Sequence, residues 1–328
     1  MSILITGGLG YIGSHICVRL MSKGYTCVIV DNLLNSKLDV LNKIEFICGS
    51  RPHFYKQDVG KNLDDIFLDH SIYCVIHCAG LKSVNESIGN PLEYYYGNVS
   101  STINLLKYME KYDVRRLIFS SSCVVYGDQP SPFNETMDTG INLTNPYATS
   151  KYMIEKILDD LKDWNVVSLR YFNPIGSHYS GLLTENPNGP PNNIMPCIIR
   201  VADGEQPFLK IFGNSYDTPD GTAMRDYIHV MDLADAHVKA VKNIGKMTKN
   251  VKINIGTGRP ISVLELINCF NQVHNMVIPC QFVDKREGDL AKVYCASDKA
   301  HKLLKWHPKY TLSDMCYNSW PPRNMQMT

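Results

Sequence analysis

Thr6-Gly7-Gly8-Leu9-Gly10-Tyr11-Ile12-Gly13-Ser14-His15 follows the apolar run Ile3-Leu4-Ile5 and opens a stretch with helical spacing. Gly8, Gly10 and Gly13 satisfy G-x-G-x-x-G, while Gly7, Gly10 and Gly13 satisfy the G-x-x-G-x-x-G variant. Strand, tight turn and helix in that order bring unpaired helix N–H groups to a pyrophosphate, and glycine lets the backbone approach it. Residues 25–30 read as a second strand ending in Asp31, at the spacing expected of a ribose-binding acid. A carboxylate there accepts hydrogen bonds from ribose hydroxyls and repels a 2′-phosphate, which favours NAD over NADP. Asp58, closing a third strand, serves either at the adenine or as a turn acid.

Outward from this loop, strands are expected over 3–6, 26–30, 53–58, 74–78, 117–121 and 166–169. Helices are expected over 11–23, 63–69, 91–112 and 147–163. Alternation with short loops implies a parallel sheet covered on both faces, with ligands at the strand carboxyl ends. After Tyr171 the texture changes to Gly-, Pro- and Asn-rich stretches, with helices over 193–202 and 263–273. The expected class is α/β: a Rossmann-like doubly wound parallel sheet with a smaller α/β substrate-binding lobe. The NAD-binding domain spans 1–171 and the lobe 172–328, with elements crossing back.

Composition narrows the function. With 33 Lys plus Arg against 32 Asp plus Glu, no global field attracts nucleic acid or an anionic membrane. No stretch reaches a membrane span and no signal peptide is recognisable, so a cytoplasmic protein is expected. The eleven cysteines form no C-x-x-C pair and mostly lie in apolar runs, which reads as buried free thiols. Ten histidines show no ligand spacing, so no metal is expected.

Two Tyr-x-x-x-Lys matches overlap, Tyr147/Lys151 and Tyr152/Lys156, and their side chains face different directions on one helix. Tyr147 follows Asn145-Pro146 and starts the helix beside a plausible cleft, so the first pair is preferred. Ser122 ends the fifth strand, where its hydroxyl can relay a proton to and from a sugar hydroxyl with Tyr147. A tyrosine base at pH 7 needs its pKa lowered by about three units, roughly 4 kcal/mol. One positive charge about 6 Å away supplies somewhat under 3 kcal/mol at an effective dielectric near 20. Lys151 therefore needs a second cation, which an oxidised nicotinamide provides.

Over nearly its whole length the chain resembles the UDP-glucose 4-epimerases (UDP-galactose 4-epimerases) of the extended short-chain dehydrogenase/reductase type. The matching segments are residues 6–15, Asp31-Asn32-Leu33, Asn35-Ser36-Lys37, Ala79-Gly80-Leu81-Lys82, Asn145-Pro146-Tyr147, 170–174, 191–196, 225–234 and Arg286-Glu287-Gly288-Asp289. The resemblance implies catalysis by Tyr147, Lys151 and Ser122. It implies NAD contacts from Gly7, Gly10, Tyr11, Ile12, Gly13, Asp31, Asn32, Asn35, Ser36, Asp58, Val59, Ala79, Gly80, Lys82, Ser120, Tyr147, Lys151 and Tyr171. For the UDP-hexose it implies Lys82, Ser122, Tyr147, Phe172, Asn173, Asn193, Phe212, Arg225, Arg286, Asp289 and Val293. Arg225 and Arg286 would clamp the diphosphate, Phe212 would stack on uracil, and a 4-ketose would form and turn over between hydride transfers.

Three departures from the family pattern stand out: Gly97 for an Asn beside the cofactor, Val124 for a Thr near the sugar, and the tail beyond Trp320. A residue four positions after Asp289, Val293, falls where a large Tyr would exclude an N-acetyl group, so N-acetylated UDP-sugars are expected substrates too. The resemblance also implies a homodimer through helices 91–112 and 147–163. The rivals are another NAD-dependent sugar-nucleotide enzyme, a reductase or dehydratase, and a non-catalytic NAD-sensing protein. Cys123-Val124-Val125 carries no acid of the kind that dehydratases place after the catalytic hydroxyl, and a sensor would commonly lose the Tyr/Lys pair.

Overall fold

Ile3, Leu4 and Ile5 are all fully buried, so the strand that carries them has no polar face and must be covered on both sides. The computed structural model describes residues 1–189, 191–247, 249–286 and 288–321. Its strands are β1 (Ser2–Thr6), β2 (Thr26–Asp31), β3 (His53–Lys56), β4 (Ile72–His77), β5 (Arg116–Ser122), β6 (Asn165–Tyr171), β7 (Asn173–Ile175), β8 (Leu209–Phe212), β9 (Met224–His229), β10 (Asn250–Ile255), β11 (Pro260–Ser262), β12 (Cys280–Val283) and β13 (Lys292–Val293). Seven of them form one parallel sheet in the order β10-β6-β5-β4-β1-β2-β3. The order reverses between β1 and β4, which opens a crevice at their carboxyl ends.

The helices are α1 (Tyr11–Met21), α2 (Asp39–Cys48), α3 (Asp64–Asp69), α4 (Val84–Gly89), α5 (Pro91–Tyr94), α6 (Ser101–Lys111), α7 (Pro146–Asp160), α8 (Ile194–Ala202), α9 (Val230–Asn243), α10 (Val263–His274), α11 (Asp298–Leu304) and α12 (Leu312–Ser319). α1 and α9 pack together on one face of the sheet, tied by the Arg19–Asp235 ion pair. The other face buries Leu105, Met109, Ile154 and Leu158 of α6 and α7 against Leu4, Val28, Val75 and Leu117. β10 and α9, both C-terminal to residue 171, thus belong to the sheet unit. A second core, around Met195, Ile198, Leu209, Tyr227, Leu266 and Phe270, unites α8, α10 and α12 with β7, β8 and β9.

Three expectations change. The third strand stops at Lys56, so Asp58 lies beyond it. The helix expected over 91–112 is divided by a π turn, Tyr95–Ser100, lying between α5 and α6. All eleven cysteines are free, but Cys280 is exposed and five others are only half-buried. Among the described residues no helix is long and apolar enough to cross a membrane. Glu287 and residues 322–328 of the atypical tail lie outside the described residues.

Candidate active site

The glycine loop is shaped by contacts that exclude side chains. Gly7 has φ +66°, and a Cβ there would lie 2.8 Å from the Ala79 nitrogen. A Cβ on Gly13 would lie 2.2 Å from the Gly7 carbonyl oxygen, so α1 can approach the loop only because position 13 is bare. Asp31 accepts from the N–H of Leu9 (3.0 Å), the N–H of Leu33 (2.9 Å) and the hydroxyl of Ser36 (2.7 Å). That fills three of a carboxylate's roughly four acceptor sites and leaves capacity for a ribose hydroxyl. Asp58 accepts from the Asn32 amide and the Gly60 N–H, both at 2.7 Å, and is at once a turn acid and part of the cleft wall.

These groups open onto a cleft of ≈ 930 Å³. Gly7, Gly10, Tyr11, Ile12, Gly13, Asp31, Asn32, Asn35, Ser36, Asp58, Val59, Ala79, Gly80, Lys82, Ser120 and Tyr171 line it, as does Asn193. The bare glycine cradle, the α1 N-terminus and the acid ending β2 fit a dinucleotide with a free 2′-hydroxyl. Among the described residues no group of three or more His, Cys, Asp or Glu could hold a metal ion.

Asn145 caps α7, its side chain accepting from the Ala148 N–H at 2.9 Å, and Pro146 starts the helix. Tyr147 therefore lies in the first turn with Lys151 one turn behind it. The Lys151 ammonium is buried, donates to the Ser120 carbonyl at 2.8 Å and lies 5.9 Å from the Tyr147 ring centroid. Ser122, the last residue of β5, lies near enough to the Tyr147 hydroxyl to favour its ionised form. Burial pushes the Tyr147 hydroxyl up to about 12, with Ser122 opposing it, and pushes Lys151 down to about 8. Tyr152 instead packs beside Val125, Phe133 and Phe172, and Lys156 is largely exposed, 3.9 Å from Asp159. The two overlapping matches face opposite ways, and only the first reaches Ser122.

Of the residues expected around the sugar nucleotide, Lys82 and Asn193 line the cleft, while Phe212, Arg225, Asp289 and Val293 lie around β9, β13 and the end of β8. The Arg225 guanidinium donates to the carbonyls of Met224 and Leu290, each at 2.8 Å, and pairs with Asp289. It is thus committed to a neighbouring carboxylate, whereas a free bidentate fork was expected; Asp289 is its counter-ion. Arg286 lies 3.8 Å over the ring of Phe212, on a face expected to stack on uracil. Asn173 begins β7, opposite Tyr227 of β9. Val293 sits opposite Arg225 and packs against the buried cluster of Val125, Tyr126, Phe133, Phe172 and Cys295.

Several residues of the site were not foreseen. Asn98, in the π turn, donates to the Leu81 carbonyl (3.0 Å) and the Ser150 hydroxyl (3.0 Å) and accepts from the Leu81 N–H (2.7 Å). The Asn98 amide fixes the Gly80–Leu81 wall of the cleft, and Gly97 lines the cleft beside it. Glu155 and Arg170, both almost wholly buried, form a bidentate pair at 2.9 and 2.6 Å, and Ser121 donates to Glu155 at 2.6 Å. This pair locks α7 to β5 and β6, which sets where Tyr147 and Lys151 sit. Glu185 lines the cleft and holds both Lys82 and Asn193.

The described geometry can be set beside known proteins. The model of the NAD dependent epimerase/dehydratase family matches residues 3–256. A UDP-glucose 4-epimerase of Bacillus subtilis is 46% identical over 327 residues, covering 98% of this chain and 96% of that one. A crystal structure of UDP-glucose-4-epimerase from Stenotrophomonas maltophila, with bound NAD and formylated UDP-arabinopyranose, superposes with a TM-score of 0.95 at 42% identity, covering 98% of this chain and 97% of that one. One from Bifidobacterium longum, in complex with NAD+ and UDP, gives 0.94 at 43% identity, covering 97% of each chain.

Proposed function

The chain belongs to the NAD dependent epimerase/dehydratase family, with UDP-glucose 4-epimerases as near-full-length relatives, and from that premise we infer that it interconverts UDP-glucose and UDP-galactose on a resident NAD. The observation that carries this reading is the meeting of Tyr147, Ser122 and Lys151 at the carboxyl end of β5, next to a cleft that accepts a dinucleotide.

Tyr147 takes the proton from the sugar 4-hydroxyl, with Ser122 bridging the two oxygens. Burial alone opposes this by raising the hydroxyl to about 12. The Lys151 ammonium, 5.9 Å from the ring centroid, offsets roughly 3 kcal/mol of that at an effective dielectric near 20. NAD, when bound, supplies a second positive charge and takes up and returns the hydride of C4. Gly7, Gly13, Asp31 and Lys82 would hold it. The hexose must present both faces of C4, so its pocket should grip loosely while the nucleotide is held firmly. Arg286, Asn193 and Phe212 provide that firm hold, and Arg225, committed to Asp289, buttresses the cluster behind them. Val293 has neither the ring nor the hydroxyl that would exclude a 2-acetamido group, and on that ground we propose N-acetylated UDP-hexoses as further substrates.

The test uses UDP-galactose deuterated at C4 with no added cofactor. The label should reappear at C4 of UDP-glucose; its loss to solvent or to free NADH would defeat the reading. We further read the protein as a cytoplasmic homodimer whose contact includes α5, α6 and α7, where Leu92, Ile103 and Met153 are exposed. Light scattering should give twice the 37.1 kDa chain mass, and a chain-mass particle would refute the dimer.

A further inference from the structure

Residues 182–188 run along the cleft and touch both of its rims. At one rim the Asn188 N–H donates to the Asn35 side chain (3.0 Å) and its amide donates to the Leu34 carbonyl (3.2 Å). At the other, beyond β4, the Lys82 ammonium donates to Glu185 Oε1 at 2.9 Å, and the same oxygen accepts from the Asn193 amide at 2.6 Å. The Asn192 amide adds a bond to the Ser83 hydroxyl at 2.9 Å. The Glu185 side chain is only 9% exposed, and Oε2 is buried without a partner. The Glu185 carboxylate is not spent on the strap's own backbone, since its partners are the side chains of Lys82 and Asn193. It gathers one group expected to serve the cofactor and another expected to serve the sugar nucleotide.

We propose that Glu185 is a further positioning residue of this site: it latches the 182–188 strap across the cleft by holding Lys82 and Asn193 on one oxygen, and thereby sets both how long NAD stays bound and how tightly the UDP-sugar is held. The inference rests on the NAD- and UDP-sugar-binding reading above. The geometry separates two effects. The Asn188 end fastens the strap at the rim near Asp31, remote from Asn193, whereas the Glu185 end fastens the strap and orients Asn193 together.

Two variants of the NAD-loaded enzyme divide these roles. Glu185→Gln keeps the shape and an acceptor for Asn193 but removes the charge that holds Lys82, and Asn188→Ala loosens only the far rim, deleting the amide bond to the Leu34 carbonyl while the backbone bond to Asn35 stays. The readouts are exchange of bound NAD against excess labelled NAD, and KM and kcat for UDP-galactose with NAD saturating. Losing one charged contact of this exposure predicts that Glu185→Gln speeds exchange by about 3–10-fold and raises KM similarly, with a smaller change in kcat. Asn188→Ala should speed exchange while leaving KM within about twofold, since only the neutral bond from the Asn188 side-chain amide to the Leu34 carbonyl is lost at the far rim. Glu185→Gln that melts earlier yet exchanges NAD and binds UDP-galactose like wild type would reduce Glu185 to a structural role and overturn the proposal. Wild-type protein that carries no NAD would overturn the cofactor reading itself, a result distinct from any variant outcome.

Discussion

Replacing Lys151 by Met keeps the length of the side chain and deletes its charge, and the structure predicts opposite effects on activity and stability. The ammonium sits 5.9 Å from the Tyr147 ring centroid. Removing it forfeits roughly 3 kcal/mol of phenolate stabilisation at an effective dielectric near 20, about a hundredfold in rate. Stability moves the other way, because burial has pushed Lys151 from its ordinary 10.5 down to about 8. That displacement is worth roughly 3 kcal/mol against the charged form, at about 1.4 kcal/mol per pH unit. The Ser120 carbonyl loses its donor in the variant, returning about 1–3 kcal/mol of that gain. At pH 7 the variant should be as stable as wild type or up to about 2 kcal/mol more so. The folded-state pKa lies below the unfolded one, so between about 8 and 10.5 the unfolded chain binds more protons. Wild-type stability therefore rises across that window, and the variant's advantage fades there. Turnover by the variant should recover in part as pH rises, because hydroxide compensates for a less acidic Tyr147. The assay is UDP-galactose turnover from pH 7 to 10 alongside urea unfolding. A variant within about threefold of wild-type turnover at pH 7 would refute the electrostatic role, since about 3 kcal/mol is assigned to it.

Tyr147→Phe should cut turnover by about 10²–10⁴-fold while UDP still binds, because the nucleotide contacts lie elsewhere. Tyr152→Phe should be mild, and reversed effects would mean that the wrong overlapping pair was chosen. Val293→Tyr should selectively abolish turnover of UDP-N-acetylgalactosamine while sparing UDP-galactose, and a wild type inert toward the N-acetylated sugar would remove the basis for that gate.

The sheet was legible where strands were continuous apolar runs bounded by glycine, as at Ile3-Leu4-Ile5 before Gly7. β10 was not, because Asn250–Ile255 is half polar and reaches the sheet only after a long excursion through the second lobe. α2 has no side-chain cap and buries only Leu41 and Ile44, too little periodicity to stand out. The π turn carries no propensity signal, yet it places Asn98 against the cleft wall. In the site, the i, i+4 phase of Tyr147 and Lys151 could be read, since one helix carries both. Pairings between elements could not: Glu155 finds Arg170 across α7 and β6, Arg225 finds Asp289 across 64 positions, and Glu185 reaches Lys82 across 103. Such contacts follow from the folded arrangement of distant segments, and no local pattern announces them.

On the proposed mechanism this chain carries its own oxidant and uses Tyr147 to epimerise C4. The most direct measurement is to incubate the purified protein with UDP-galactose, adding no nicotinamide cofactor, and to separate the sugar nucleotides with time. A stable mixture of UDP-glucose and UDP-galactose should form, the same mixture from either starting sugar, with no net NADH. Unchanged UDP-galactose in protein shown to contain NAD, or conversion only on addition of NADPH, would contradict it.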